Sequence, residues 1–202
     1  MRKLFCLLAL GMSLCLIACG GGNSKKVTRL DAGSTTDLSG KWNDTDSRLV
    51  AEEMIPSCLN SGKISKAIAE MGRTPTVVIG KVKNKSHEHI SVETFIKDME
   101  RVLINSGEVD FVAGATERQA LRDEVMDQRG NATEETAKEL GMETGADWML
   151  TGSINTIVDQ EGGQAVIFYQ VDLELTDLQS HKKLWIGDKK IKKFISRDAA
   201  KL

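Results

Sequence analysis

Apolar positions along the chain follow one period before residue 146 and another after it. In the first part they recur every three or four residues, the spacing of a helix face. Asp44 or Asp46 is placed to cap a helix carrying Leu49, Val50, Met54 and Ile55 that ends or kinks at Pro56. A second helical piece covers Ile64–Met71, and the β-branched run Thr76–Lys83 reads as a buried strand. Ser91 is placed to cap a helix whose stripe is Val92, Phe95, Ile96, Met99, Val102 and Leu103, stopped by Gly107. Val109–Ala113 is a short apolar strand. Thr116 with Gln119 fits a capping box for a helix to about Arg129, and a short helix over Glu134–Leu140 ends at Gly141.

From Ala146 the period is two. Trp148, Leu150, Ile154 and Val158 share one face, so Trp148 is a core residue. Ala165, Ile167, Tyr169, Val171, Leu173 and Leu175 share another, and the glycines of Asp159–Gln164 make a hairpin turn between them. Leu184–Phe194 supplies a last strand. The order α–β–α–β–α–α–β–β–β predicts an α/β fold: a mixed sheet with flanking helices and a C-terminal antiparallel meander.

The first residues change the picture. Arg2 and Lys3 precede an apolar run from Leu4 to Ile17, followed by Ala18 and Cys19, which is the anatomy of a secretory signal. Leu16-Ile17-Ala18-Cys19 resembles the lipobox of bacterial lipoproteins, in which the Cys19 thiol takes diacylglycerol and becomes the new N-terminus. The run is short of the roughly 20 apolar residues of a spanning helix. The expected organisation is a signal peptide at 1–18, a lipidated tether at 19–37 and one globular domain at 38–202. The tether, Gly/Ser-rich with a short strand near Val27, reaches at most about 65 Å from Cys19 to Leu38 when fully extended.

Of the 27 basic and 29 acidic residues, Arg2 and Lys3 leave with the signal, so the remainder carries 25 against 29. That balance argues against nucleic acid as a partner. Cys58 is then the one cysteine besides Cys19, which excludes an internal disulfide, and its spacing from Met54 and Ile55 puts it on an apolar face, buried and inert.

Candidate chemistry is sparse. His87-Glu88-His89 has no third ligand at metal spacing and reads as a solvated loop. Gly114 reads as a turn residue, because no phosphate-binding motif surrounds it. Nucleophile motifs such as Gly-x-Ser-x-Gly are absent, so catalysis, a cofactor and a metal are not expected. Two charged stretches remain. Lys189-Lys190-Ile191-Lys192-Lys193-Phe194 either guards an edge strand or meets an anionic partner. In the helix Thr116–Arg129, Arg118/Arg122 and Asp123/Asp127 are like-charge i,i+4 pairs, each costing roughly 0.2–0.5 kcal/mol in an isolated helix. No opposite pair compensates, so Arg118, Arg122 and Arg129 are candidates for a partner's carboxylates, the alternative being a plain solvated face.

Four ordered blocks, Leu38–Ile55 (LSGKWNDTDSRLVAEEMI), Val77–Phe95 (VVIGKVKNKSHEHISVETF), Thr144–Asp159 (TGADWMLTGSINTIVD) and Tyr169–Leu175 (YQVDLEL), resemble the LpoB family of penicillin-binding-protein activators. The resemblance spans residues 38–195. It implies a non-enzymatic outer-membrane lipoprotein at the periplasmic face. It further implies a monomeric α/β domain similar to the TolB N-terminal domain, and a class A penicillin-binding protein, a peptidoglycan synthase, as the partner. Gly20 after Cys19, in place of the Asp that favours inner-membrane retention, agrees with outer-membrane sorting. One departure is the tether, which is long and proline-rich in the best-studied type; here the whole chain has two prolines, Pro56 and Pro75. A CsgG-like secretion-channel subunit is the competing reading, with Ala146–Val158 and Ala165–Thr176 as membrane strands of suitable length.

Overall fold

The computed structural model describes residues 26–131 and 145–196. The expected helix over Glu134–Leu140 lies outside the described residues, as does Cys19. Residues 26–34 belong to a unit of their own, and residues from Thr35 onward form a second. In the first, Val27 lies in irregular chain, 88% exposed, rather than in a strand.

In the second unit, helices α1 (Asp44–Leu59) and α2 (Gly62–Met71) precede strand β1 (Thr76–Asn84), helix α3 (Val92–Ser106), strand β2 (Asp110–Phe111) and helix α4 (Ala115–Asn131). Strands β3 (Trp148–Glu161), β4 (Gln164–Asp177) and β5 (Lys183–Ser196) follow. The sheet order is β2-β1-β3-β4-β5, with β1 parallel to β2 and β3, and the β3-β4-β5 meander antiparallel. The α/β class, the mixed sheet and the terminal meander are as the periodicity predicts.

Local chemistry departs from expectation at four helix ends. The α1 cap is Asn43: its side chain accepts from the Asp46 N–H at 3.1 Å, and Asp46 at N3 accepts from the Asn43 N–H at 2.9 Å. Asp46 is thus the reciprocal half of the box rather than the cap. Helix α1 runs through Pro56 to Leu59. An interior proline costs about 3 kcal/mol, but here its ring faces solvent while Cys58 and Leu59 beyond it are buried, so core packing offsets the lost hydrogen bond. Ser91 sits at the α3 cap position, but its side chain makes no cap hydrogen bond to the helix backbone; its hydroxyl meets that of Thr94 at 3.0 Å. Helix α4 starts one residue before Thr116, and the Gly114 N–H donates to Glu117 at 3.3 Å.

Helices α1 and α3 pack on each other and share one core with the inward sheet face. Val50, Met54 and Ile55 meet Phe95, Met99 and Leu103 over Val77, Ile79, Leu150, Ile154, Val171 and Leu173. Trp148 is 1% exposed and Cys58 2%, both in this core. Val158, expected on the same face as Trp148, is 45% exposed. The β3–β4 turn is tight, Gly162 and Gly163 with φ of 55° and 82° joining strands that pair to Glu161↔Gln164.

The β1–β3 register slips between Ile79↔Leu150 and Val82↔Gly152, so Gly80 and Lys81 face Thr151 alone. This bulge resets parity: Val82, three residues after Ile79, enters the core, while Lys81, Lys83 and Lys85 remain exposed. A Cβ at Gly80 would lie 2.8 Å from Met149 Sδ and 3.0 Å from Thr151 Cγ2, so a larger residue there would displace those side chains.

At the start of the sheet Asp147 ties β1 to β3. It takes both guanidinium nitrogens of Arg73, at 2.7 and 2.8 Å, and the Thr76 N–H at 2.8 Å. The Arg73 hydrogen bond is the largest influence holding its pKa below the ordinary 3.8, against the opposing effect of burial. A depressed carboxylate pKa contributes stability above the ordinary value that is lost as pH falls through the folded value. In Asp147→Asn the melting temperature should therefore drop at neutral pH, and its deficit relative to wild type should shrink below about pH 3.8. Thermal melts between pH 2 and 7 measure this. Trp148→Ala should cost about 3–5 kcal/mol in denaturant unfolding, the range for truncating a buried aromatic.

Candidate partner-docking surface

Three of the four sequence blocks that carry the family resemblance meet in one polar cluster between α1, the loop after β1 and the meander. Glu88 is its centre. One carboxylate oxygen accepts from the Tyr169 phenol at 2.6 Å and the other from the Trp42 N–H at 3.1 Å. Trp42 packs edge-on against Tyr169 and Phe95, ring centres 5.5 and 6.2 Å apart, and its indole donates to Ser47 Oγ at 2.8 Å. Tyr169 is fully buried. Burial first, then the Glu88 hydrogen bond, pushes its pKa far above the ordinary range, so it stays the donor.

Beside it, Lys193 Nζ reaches Asp46 at 2.6 Å, Asp37 at 2.7 Å and the Lys41 carbonyl at 3.1 Å. Burial works against its charge, but the two carboxylates outweigh it and raise its pKa; Asp37 is held low in turn, mainly by Lys193. This cluster fastens residues 37–47 to β5. It is a structural clasp and holds no group poised for chemistry. In the sequence Glu88 reads as part of a solvated His-Glu-His loop, and 81 residues separate it from Tyr169. Its membership of a family block was the one sequence signal pointing to it.

The lysine-rich stretch divides by strand parity. Lys193 enters the clasp and Lys189 pairs with Glu53 of α1, whereas Lys190 and Lys192 lie on the exposed side, Lys190 paired with Asp188 at 2.9 Å. Strand β5 is the edge of the sheet, as its lysines predict.

The remaining candidates stand on α4. Its base is held by Lys97, which bridges Glu100 of α3 and Glu117. Their hydrogen bonds raise the Lys97 pKa, Glu100 contributing most. Arg118 is half-buried, its Nε buried without a hydrogen-bond partner, and Arg122 is exposed. Leu121 and Met126, 56% and 67% exposed, fall at helical spacing beside them. The Arg129 side chain is outside the described residues. The structure thus sets Arg118 and Arg122 on one helix face and keeps the lysines of β5 apart from them.

No three His, Cys, Asp or Glu side chains among the described residues are grouped to hold a metal. His87 and His89 are exposed, and burial pushes the Cys58 thiol up to about 12, leaving it inert. The strands required by a membrane-channel reading are β3 and β4, and their inward faces are buried under α1 and α3.

No curated protein matches the chain by sequence. Among solved structures, the LpoB C-terminal domain from Escherichia coli matches with 16% identity and a TM-score of 0.44, over 72% of this chain and 98% of that one. Lipoprotein GNA1162 from Neisseria meningitidis matches with 13% identity and a TM-score of 0.39, over 62% and 88% of the respective chains. The family model of the peptidoglycan-synthase activator LpoB matches residues 46–191, from the second half of the α1 capping box to the middle of β5. The chain therefore belongs to the LpoB family of non-enzymatic peptidoglycan-synthase activators.

Proposed function

We propose that this activator is anchored through diacylglyceryl Cys19 at the periplasmic face of the outer membrane, and that the synthase it stimulates is a class A penicillin-binding protein. The observation that carries the reading is the family match across residues 46–191, which includes Glu88 and Tyr169 of the clasp and nearly the whole core. The likeness to the TolB N-terminal domain implied by the sequence resemblance belongs to the same reading. The N-terminal sequence ending in Ala18-Cys19-Gly20 supports the anchor and its sorting. Since the clasp takes hold at Asp37, the free tether is short, and the synthase must extend toward the outer membrane to be reached.

The docking element in this proposal is α4. Arg118, Arg122 and Arg129 meet carboxylates of the synthase around an apolar centre of Leu121 and Met126. Exposed apolar side chains flanked by arginines have the composition of an interface centre. Charges at such a rim govern encounter rate more than affinity.

Stimulation of glycan polymerisation by a purified class A synthase, together with surface binding kinetics, tests this. Reversing Arg118 and Arg122 to Glu should slow association several-fold at low salt, with the difference narrowing at high salt, while thermal stability is kept. Wild-type association rates for a folded double variant would remove α4 from the interface. Absence of stimulation by the wild-type chain would remove the synthase class.

A further inference from the structure

The opposite side of the molecule from the clasp carries a second basic feature. The side chains of Lys81, Lys83 and Lys85 are exposed and, among the described residues, hold no ion pair or hydrogen bond, unlike the lysines of β5 that point toward α1. They form one wall of an open groove of about 450 Å³, with Thr151, Asp172 and Glu174 on the other. Neither carboxylate pairs with them: Glu174 pairs with Lys183 at 2.7 Å, and Asp172 accepts from Asn155 and Gln170 at 3.1 and 2.7 Å. The bulge at Gly80–Lys81 is what turns the three lysines away from the core, since uninterrupted alternation would send Lys81 and Lys83 inward with Ile79.

The backbone beside them is open as well. Pairing of β1 with β2 stops at Val77↔Phe111, with a last hydrogen bond from the Val112 N–H to the Val77 carbonyl at 3.0 Å. Beyond Val77, among the described residues, β1 has a strand neighbour only on the β3 side. An unpaired strand edge accepts an extended peptide as an added strand, with main-chain hydrogen bonds for affinity and alternate side chains for selection. Lysines two residues apart on a strand are about 6.6–7 Å apart, the same interval that separates alternate side chains of an added peptide.

Resting on the reading of this chain as a partner-binding protein, we infer that the β1 edge is a second docking site, which takes an extended, acidic segment of a partner protein whose carboxylates alternate with other residues and meet Lys81, Lys83 and Lys85. Edge protection is the opposite role for the same lysines: a protected edge repels added strands. The two roles differ in what they bind.

Fluorescence anisotropy on the full-length lipidated chain in detergent separates them, using a labelled ten-residue peptide of alternating Glu and Thr. The controls are a peptide of equal composition with its five Glu contiguous, and inorganic polyphosphate. Saturable binding of the alternating peptide is expected, weakening with salt and stronger than to either control. An exposed ion pair contributes roughly a 1.5- to fivefold factor, so K81Q/K83Q/K85Q should bind about tenfold more weakly with an unchanged melting temperature. If the triple variant melts early, Lys83→Gln alone serves, with an expected loss of about two- to threefold. No binding by wild type, binding unaltered in the variants, or equal binding of the contiguous peptide or polyphosphate overturns the proposal. The assay contains no synthase, so its outcome is separate from whether the chain stimulates one.

Discussion

The domain depends on one pair of partly buried polar contacts that join the residues before α1 and the loop after β1 to the meander. Glu88 accepts from Tyr169 and from the Trp42 backbone, and Lys193 sits between Asp37 and Asp46. Without them the segment before α1 would have few means of adhering to the sheet. That segment is short and rich in Gly, Ser and Asp, and its Leu38 is 94% exposed. Trp42 is the apolar exception, and its position is defined by hydrogen bonds as much as by packing. A buried charged group left unpartnered is costly, so each partner of the clasp enforces the placement of the other.

This arrangement explains why the blocks that identify the family hold no reactive centre. Residues from Leu38–Ile55, Val77–Phe95 and Tyr169–Leu175 converge on Glu88, and Asp147, next to Trp148 in the remaining block, ties β1 to β3. The blocks are the parts that must agree for the sheet, α1 and the tether's end to assemble. In the proposed reading, binding falls to elements outside the clasp. Helix α4 is joined to the rest through Lys97 and Glu117, and the open stretch of β1 faces the other side. A scaffold of this kind can present different docking surfaces without altering its core.

Much of the fold was legible because helical and strand periods are local. The α3 stripe, the buried β1 run and the alternation of β4 each follow from a few neighbouring residues. Helix ends were less legible. Asn43, Asp44 and Asp46 are all able to cap, and the choice depends on which carboxylate also meets Lys193. Continuation through Pro56 depends on a core that only the tertiary fold supplies. The four lysines of β5 read as one patch until the strand's parity is known, whereupon two of them turn to α1 and the clasp. Likewise, nothing local shows that a bulge at Gly80 reverses the side on which Lys81 and Lys83 emerge.

The most direct test of this account is the coupling free energy between Glu88 and Tyr169, from a double-mutant cycle of Glu88→Ala and Tyr169→Phe in urea unfolding. A hydrogen bond to a charged group contributes about 1.5–3 kcal/mol, and contacting residues couple by about 0.5–3 kcal/mol. The account predicts a coupling of at least about 1 kcal/mol, each single change being strongly destabilising and the second adding little to the first. Additive effects, with coupling near zero, would contradict the claim that this contact holds the loop after β1, and through it the residues before α1, onto the meander.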